Sequence, residues 1–100
     1  MGLKVRLQQQ ARADLKGIRN YLLEAADKRS ADRVRLHLRQ RIVRLGEIPH
    51  MGTPTTMSDV RILAPVKYPY RIYYTLTDDA VVILHIRHTS RDEPEPAELV

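Results

Sequence analysis

Two kinds of apolar spacing divide the chain into six predicted elements. Four short runs have the alternation, or the β-branched and aromatic residues, that are typical of strands: residues 3–7, 60–63, 70–76 and 81–88. Between the first two runs, apolar residues recur every three or four positions, as on the buried face of a helix. They are Ala11, Leu15, Ile18 and Leu22 in one stretch, and Ala31, Val34, Leu38, Ile42 and Leu45 in the next. The predicted order is therefore β-α-α-β-β-β.

The connections between these elements predict how they pack. The break at residues 27–30 is short and offers Ser30 as the N-cap of the second helix, so the two helices should form an antiparallel hairpin. Two prolines and a glycine make residues 48–59 a loop. The short connection at residues 77–80 should join the last two strands as a β-hairpin.

The chain has 100 residues, which is enough for one small core. Because the helices are grouped apart from most of the strands, we predict an α+β fold. In it, a helical hairpin packs on a mainly antiparallel four-stranded sheet. We expect residues 1–91 to form a single domain and residues 92–100 to form an acidic C-terminal tail.

The composition excludes several kinds of chemistry. The chain has no cysteine, so it has no disulfide, no thiolate metal site and no cysteine nucleophile. We expect neither a metal nor a cofactor. The sequence contains no apolar run that predicts a signal peptide or a membrane span, so a cytoplasmic protein without membrane contact is expected.

The positive charge is concentrated in the predicted second helix. The net charge is +5, and residues 27–44 hold one lysine and six arginines against two aspartates. Such a basic segment favours an acidic partner, either nucleic acid or an acidic protein segment. It is equally compatible with a solvated helix face, and the sequence leaves both interpretations open.

The candidate chemistry lies in the last predicted strand, where "ILHIRHTSRD" (83–92) contains two histidines and two arginines. In a regular strand His85 and His88 point to opposite faces, which argues against a catalytic pair. For His88 we favour a structural hydrogen bond, whereas for His85 both roles remain open. Asp14, far away in sequence, is interpreted as a charge that favours the start of the first helix.

Three further arginines stand one on each of the last three predicted strands: Arg61, Arg71 and Arg87. Adjacent strands place side chains about 5 Å apart, so these arginines can form one basic patch that binds phosphate or carboxylate. The alternative is that each pairs with a nearby acidic residue. Four tyrosines at positions 68–74 offer stacking surfaces for bases, although Tyr74 at least fits better in the core.

The whole pattern resembles the RelE/ParE toxin superfamily of bacterial toxin–antitoxin systems. Five segments carry the resemblance in the same order as in the family: "ARADLKGIRNYL" (11–22), "PHMGTP" (49–54), "VRIL" (60–63), "YPYRIYY" (68–74) and "ILHIRHTSRD" (83–92). The "YPYRIYY" and "IRHTSRD" segments resemble the ParE-like branch in particular. This resemblance implies a toxin that binds DNA gyrase, blocks replication without being an enzyme, and is neutralised by a cognate ParD-like antitoxin.

The RelE-like branch implies a different activity, ribosome-dependent cleavage of mRNA. That reaction needs a base, an acid and cations that stabilise the transition-state charge. Here His85 and His88 remain as proton carriers, no tyrosine follows Tyr74, and the acidic tail would repel RNA. We therefore keep mRNA cleavage as the alternative function. A decayed or repurposed member that only binds its antitoxin or operator DNA is a third possibility.

The resemblance and the charge pattern together predict two binding surfaces. The residues expected to bind the target or an anion are Arg61, Arg71, Arg87 and Arg91. Those expected to bind the antitoxin are Arg33, Arg35, Arg39 and Tyr73. Operator DNA is expected to be contacted only through the antitoxin.

Overall fold

The computed structural model describes residues 2–90, so Arg91 and the acidic tail lie outside the described residues. Two helices pack against one sheet, and the predicted α+β class is confirmed. The elements are β1 (Lys4–Leu7), α1 (Gln9–Ala25), α2 (Lys28–Glu47), β2 (Thr53–Pro54), β3 (Arg61–Leu63), β4 (Tyr70–Leu76) and β5 (Ala80–His88).

The N-cap of α2 is Asp27, not Ser30 as the sequence predicted. The Asp27 carboxylate accepts the backbone N–H of Ser30 at 2.7 Å, so the helix begins one turn earlier. This hydrogen bond holds the pKa of Asp27 below its usual value, since it stabilises the charged form. The N-cap position of α1, Gln8, makes no side-chain capping hydrogen bond.

The sheet has five strands in the order β1-β5-β4-β3-β2, one more than predicted. The additional strand, β2, is only two residues long and pairs antiparallel with β3. β1 runs parallel to β5, with Lys4 opposite Ala80 and Leu7 opposite Ile83. The other pairings are antiparallel, and β4 and β5 form the predicted hairpin. The long helical hairpin between β1 and the rest of the sheet is what permits the parallel pairing.

A β-bulge interrupts the pairing of β4 with β5. Tyr73 is opposite His85, whereas its neighbour Tyr74 is opposite Ile83, so Leu84 is an extra residue on β5. Beyond the bulge the alternation of β5 is reversed, and Ile86 packs in the same cluster as Ile83. Strict alternation would instead have placed Ile86 on the side of Val82 and Leu84.

The main core lies between the helices and the sheet. Its most buried large side chains are Leu38 and Leu45 from α2, Ile72 and Tyr74 from β4, and Val81 and Ile83 from β5. A second, smaller buried cluster lies on the other side of the sheet and includes Val60, Tyr73, Ala80, Val82 and Leu84. Tyr74 is thus a core residue, as predicted, while Tyr73 packs in the second cluster.

Candidate functional site

The end of β5 and the middle of α1 enclose a cavity of about 470 Å³, here called the β5 cavity. β1 pairs with β5 only as far as Ile83, so α1 takes the place of a strand along the rest of β5. The lining residues are Ala13, Asp14, Gly17, Ile18 and Tyr21 from α1, Tyr70 from β4, and His85, Ile86, Arg87, His88 and Ser90 from the end of β5.

The β5 cavity contains both histidines of the candidate segment. The bulge at Leu84 precedes both residues, and the pairing of β5 with β4 is regular from His85 to His88, so the two side chains still alternate as the sequence predicted. Both line the cavity because it opens along the edge of β5. The two imidazoles have separate partners. His85 contacts Asp14 and Arg87, whereas His88 contacts Ser90 and Tyr70.

His85 lies against the carboxylate of Asp14. The side chain of His85 is 7% exposed and that of Asp14 is 13% exposed, and Asp14 Oδ2 lies 2.5 Å from His85 Nδ1. The same carboxylate oxygen accepts the backbone N–H of Ile86 at 2.9 Å. On its other side, His85 Nε2 lies 3.4 Å from Arg87 Nη2. A carboxylate, an imidazole and a guanidinium are thus arranged in series across the wall of the cavity.

The role predicted for Asp14 was wrong. The first turn of α1 contains no acidic residue, and Asp14 lies beyond that turn, so Asp14 does not act as a helix-start charge. Instead, its carboxylate supplies the acceptor that β1 no longer provides to β5, because Ile86 lies past the end of the β1 pairing. The contact joins residues far apart in sequence, and strand alternation gives no signal for it.

His88 orders the end of β5. Its Nδ1 accepts the backbone N–H of Ser90 at 3.0 Å and lies 2.7 Å from the Ser90 hydroxyl. The ring also meets Tyr70 edge to face, with 5.4 Å between the centroids. Burial, together with the nearby Tyr21, raises the pKa of Tyr70 above its ordinary value, so its hydroxyl stays protonated near neutral pH.

Arg61 braces the loop that follows α2. Its Nη2 donates to the carbonyl oxygens of Gly52 at 2.7 Å and His50 at 3.3 Å. The hydroxyl of Tyr74 completes this brace, because it accepts the N–H of Gly52 at 2.9 Å and donates to the carbonyl oxygen of Pro49 at 2.8 Å. The structure therefore explains the Pro-x-x-Gly-x-Pro motif as a loop held against the sheet.

Arg71 and Arg87 are the two predicted arginines that the structure places side by side. They stand directly opposite one another on β4 and β5, and both are half-buried. Arg61 is not part of this pair, because its guanidinium is turned to the loop. Arg91 lies outside the described residues. The predicted patch of three arginines is thus reduced to one cross-strand pair.

A second concave surface, here called the helix groove, runs between α1, α2 and β1 and has a volume of about 500 Å³. Its floor is apolar and includes Val5 and Leu7 from β1. Four cations stand among its lining residues, Lys16, Arg19, Arg35 and Arg39, and no acidic residue of the described part of the chain lines it. An apolar floor with a basic border suits an acidic amphipathic segment.

The residues predicted to bind the antitoxin do not all meet. Arg35 and Arg39 line the helix groove, while Arg33 lies in a neighbouring depression with Lys28 and Asp32. Tyr73 is 4% exposed and packs in the second buried cluster, away from the helices. Within residues 2–90, no group of three or more histidine or acidic side chains is placed to hold a metal ion.

Comparison with known proteins identifies the family. Residues 5–93 match the sequence model of the family described as ParE toxin of type II toxin–antitoxin system, parDE. The chain belongs to the ParE toxin family. It is therefore a type II toxin–antitoxin toxin of the ParE/RelE superfamily, and the resemblance recognised in the sequence is confirmed.

Solved structures show that the fold is shared across this superfamily. The chromosomal ParDE toxin–antitoxin system from P. aeruginosa has a chain that is 18% identical to this ParE-family chain, with a TM-score of 0.79, and the match covers 86% of this chain and 95% of that one. The toxin–antitoxin complex RelBE2 from Mycobacterium tuberculosis gives 21% identity, a TM-score of 0.66, and coverage of 88% and 99%. The isolated E. coli RelE toxin gives 17% identity, a TM-score of 0.65, and coverage of 91% and 88%.

No curated protein matches the chain. Neither helix of the described region, residues 2–90, is long and apolar enough to cross a membrane. The family match thus fixes the class of toxin, whereas the structural likeness to both ParDE and RelBE systems concerns the fold.

Proposed function

We propose that this ParE-family toxin inhibits bacterial growth by binding DNA gyrase and blocking replication, and that a cognate ParD-like antitoxin neutralises it. The observation that supports this proposal most is the match of residues 5–93 to the ParE toxin family. Gyrase is the target that the resemblance of "YPYRIYY" and "IRHTSRD" to the ParE-like branch implies.

The β5 cavity favours binding over RNA cleavage. Cleavage of RNA requires a group that takes the 2′-hydroxyl proton and another that protonates the leaving oxygen. His85 is 5% exposed and lies against Asp14, and His88 Nδ1 accepts a hydrogen bond from Ser90. Tyr70 is buried, and its raised pKa opposes its use as a base. These contacts favour a site that orders the strand end over a proton-transfer site.

Arg71 and Arg87 are the proposed contact with the target. Two guanidinium groups on adjacent strands offer several donors at close spacing, which suits a carboxylate or phosphate of the partner. In this proposal the toxin needs no catalytic residue, because its effect comes from holding gyrase in one state. Arg91, which follows the same strand in sequence, is proposed as an additional contact.

The helix groove is the proposed antitoxin site. An acidic segment that lays apolar side chains on Val5, Leu7 and Leu15 would bring its carboxylates to Arg35 and Arg39. Binding would also stabilise the toxin, because a ligand that binds only the folded state shifts the folding equilibrium. Operator DNA is reached only through the antitoxin in this arrangement.

The first experiment combines the purified protein with DNA gyrase, ATP and relaxed plasmid. The expected result is a loss of supercoiling with accumulation of cleaved DNA, reversed by the antitoxin encoded beside the toxin gene. Arg71→Glu should weaken the inhibition more than Arg71→Lys, because the lysine keeps the charge. No inhibition at micromolar protein, together with cleavage of messages in a translating extract, would establish the RelE-like alternative instead.

The antitoxin site is tested with charge reversals along α2. The double variant Arg35→Glu/Arg39→Glu removes the basic border of the helix groove, whereas Arg29→Glu/Arg44→Glu makes the same change in net charge outside it. Antitoxin affinity, measured by calorimetry, should fall for the first variant and change little for the second. Equal losses would show that net charge, and not the groove, determines binding.

A further inference from the structure

We propose that Asp14 and His85 are positioning residues that orient Arg87 for its contact with the target. This inference rests on the proposed function, because it assigns a purpose to the series of side chains in the wall of the β5 cavity. It concerns a carboxylate on α1 that acts on a guanidinium on β5 through the imidazole between them. None of these groups needs to transfer a proton.

The first step of the argument is the proton position on His85. Asp14 Oδ2 lies 2.5 Å from Nδ1, a close contact without the alignment of a hydrogen bond. At this distance the negative charge of the carboxylate would repel a lone pair on Nδ1 and attract an N–H there. We therefore assign the proton of the neutral imidazole to Nδ1. The other nitrogen, Nε2, is then an acceptor.

The second step is what that acceptor faces. Arg87 Nη2 lies 3.4 Å from His85 Nε2, and a guanidinium nitrogen always carries a proton to donate. The opposite tautomer would place an N–H of His85 against an N–H of Arg87. Asp14 thus decides, through the tautomer of His85, whether Arg87 is attracted to the imidazole or repelled by it.

The third step is the rigidity of the series. Asp14 is anchored by the backbone N–H of Ile86 at 2.9 Å, and its side chain is 13% exposed. His85 is fixed in the strand opposite Tyr73 at the bulge. Arg87 makes further contacts as well, so the imidazole is one of the groups that hold it. A guanidinium held beforehand loses less side-chain entropy when a partner binds.

The test begins with nuclear magnetic resonance of the unmodified protein. The ¹⁵N shifts of His85 should show the proton on Nδ1 and a lone pair on Nε2. A proton on Nε2 in the neutral ring would overturn the proposal. This measurement does not involve gyrase, so it tests the orientation of Arg87 by Asp14 and His85 separately from the proposal that gyrase is the target.

The second arm uses Asp14→Asn, which keeps the size of the side chain but removes the negative charge that favours a proton on His85 Nδ1. The amide oxygen can still accept the N–H of Ile86. We expect the proton of His85 to lose its preference for Nδ1 and the concentration for half-maximal gyrase inhibition to rise about tenfold, the effect of losing one hydrogen bond to a charged group. Asp32→Asn, on the exposed surface of α2, is the matched control and should leave inhibition unchanged.

A double-mutant cycle with Arg87→Ala separates positioning from simple destabilisation. If Asp14 acts through Arg87, Asp14→Asn should cause no further loss of inhibition once Arg87 is alanine. A second loss of equal size in the Arg87→Ala background would show that Asp14 acts independently, and would overturn the proposal. Thermal unfolding of each variant ensures that only folded proteins are compared. If the parent protein does not inhibit gyrase, the same cycle is read as growth inhibition on expression.

Discussion

The hydroxyl oxygen of Tyr74 holds the loop after α2, and the effect of removing it on stability can be predicted. In Tyr74→Phe the ring remains in the core, but the hydroxyl that accepts from Gly52 N–H and donates to the Pro49 carbonyl is lost. Gly52 is buried, so its N–H has no easy access to water. An unsatisfied buried group costs about 1–3 kcal/mol, and we expect Tyr74→Phe to lower the free energy of unfolding by about 2 kcal/mol.

For a domain of this size, a loss of about 2 kcal/mol corresponds to a fall in Tm of about 8–16 °C. Thermal unfolding followed by circular dichroism measures it directly. Tyr21→Phe is the matched control, because Tyr21 is 64% exposed and its hydroxyl is solvated. Amide exchange gives a second readout, in which Gly52 N–H should lose protection in Tyr74→Phe alone. Equal Tm values for the two variants would refute the reasoning that the hydroxyl holds the loop.

Three further predictions follow from local geometry. Gly52→Ala should lower the free energy of unfolding by about 1–3 kcal/mol, because a Cβ there would lie 2.6 Å from the carbonyl oxygen of Ile62. Gly17→Ala should raise it by about 1 kcal/mol through helix propensity, because its Cβ meets open space, and urea unfolding compares the two variants. Asp27 has a lowered pKa, so its stabilising contribution is present above about pH 4 and is lost as the pH falls through its folded-state pKa. The gap in Tm between the parent and Asp27→Ala should therefore be present at pH 7 and narrow in acid, and a gap independent of pH would contradict this. Tyr70 has a raised pKa, so its contribution to stability is present below about pH 10 and is lost as the pH rises through the raised value. Above about pH 10 the Tm should therefore fall more steeply with pH in the parent than in Tyr70→Phe. Equal dependence of Tm on pH in the two proteins would contradict a raised pKa for Tyr70.

The order of the elements could be predicted from apolar spacing because each amphipathic helix and each apolar strand must bury one side. The stripe Val34, Leu38, Ile42 and Leu45 is buried as the spacing indicates. The pairing of β1 with β5 could not be predicted in the same way, since a strand at the edge of a sheet has the same pattern beside any neighbour. β2 is too short to leave a periodic signal.

The candidate site was predictable in composition but not in geometry. The segment around His85 was recognised from its unusual density of charged and titratable groups. The bulge at Leu84 adds one residue to β5, and no rule of alternation anticipates where such an insertion falls. Asp14 was misinterpreted for a related reason, because its contact with His85 exists only after α1 is laid along β5. Charge density thus located the site, while tertiary packing determined its partners.

The parallel pairing of β1 with β5 has a consequence for how the toxin is made. The first strand of the chain, at Lys4–Leu7, completes its hydrogen bonds only with Ala80–Ile83. A ribosome therefore has to release the chain through β5 before β1 can join the sheet, and closure of the sheet must wait until β5 has been synthesised. Any premature stop codon before β5 yields a fragment that lacks the strand with which β1 pairs. Such a gene should lose toxicity outright, and its shortened product should be degraded instead of accumulating as a partly active toxin.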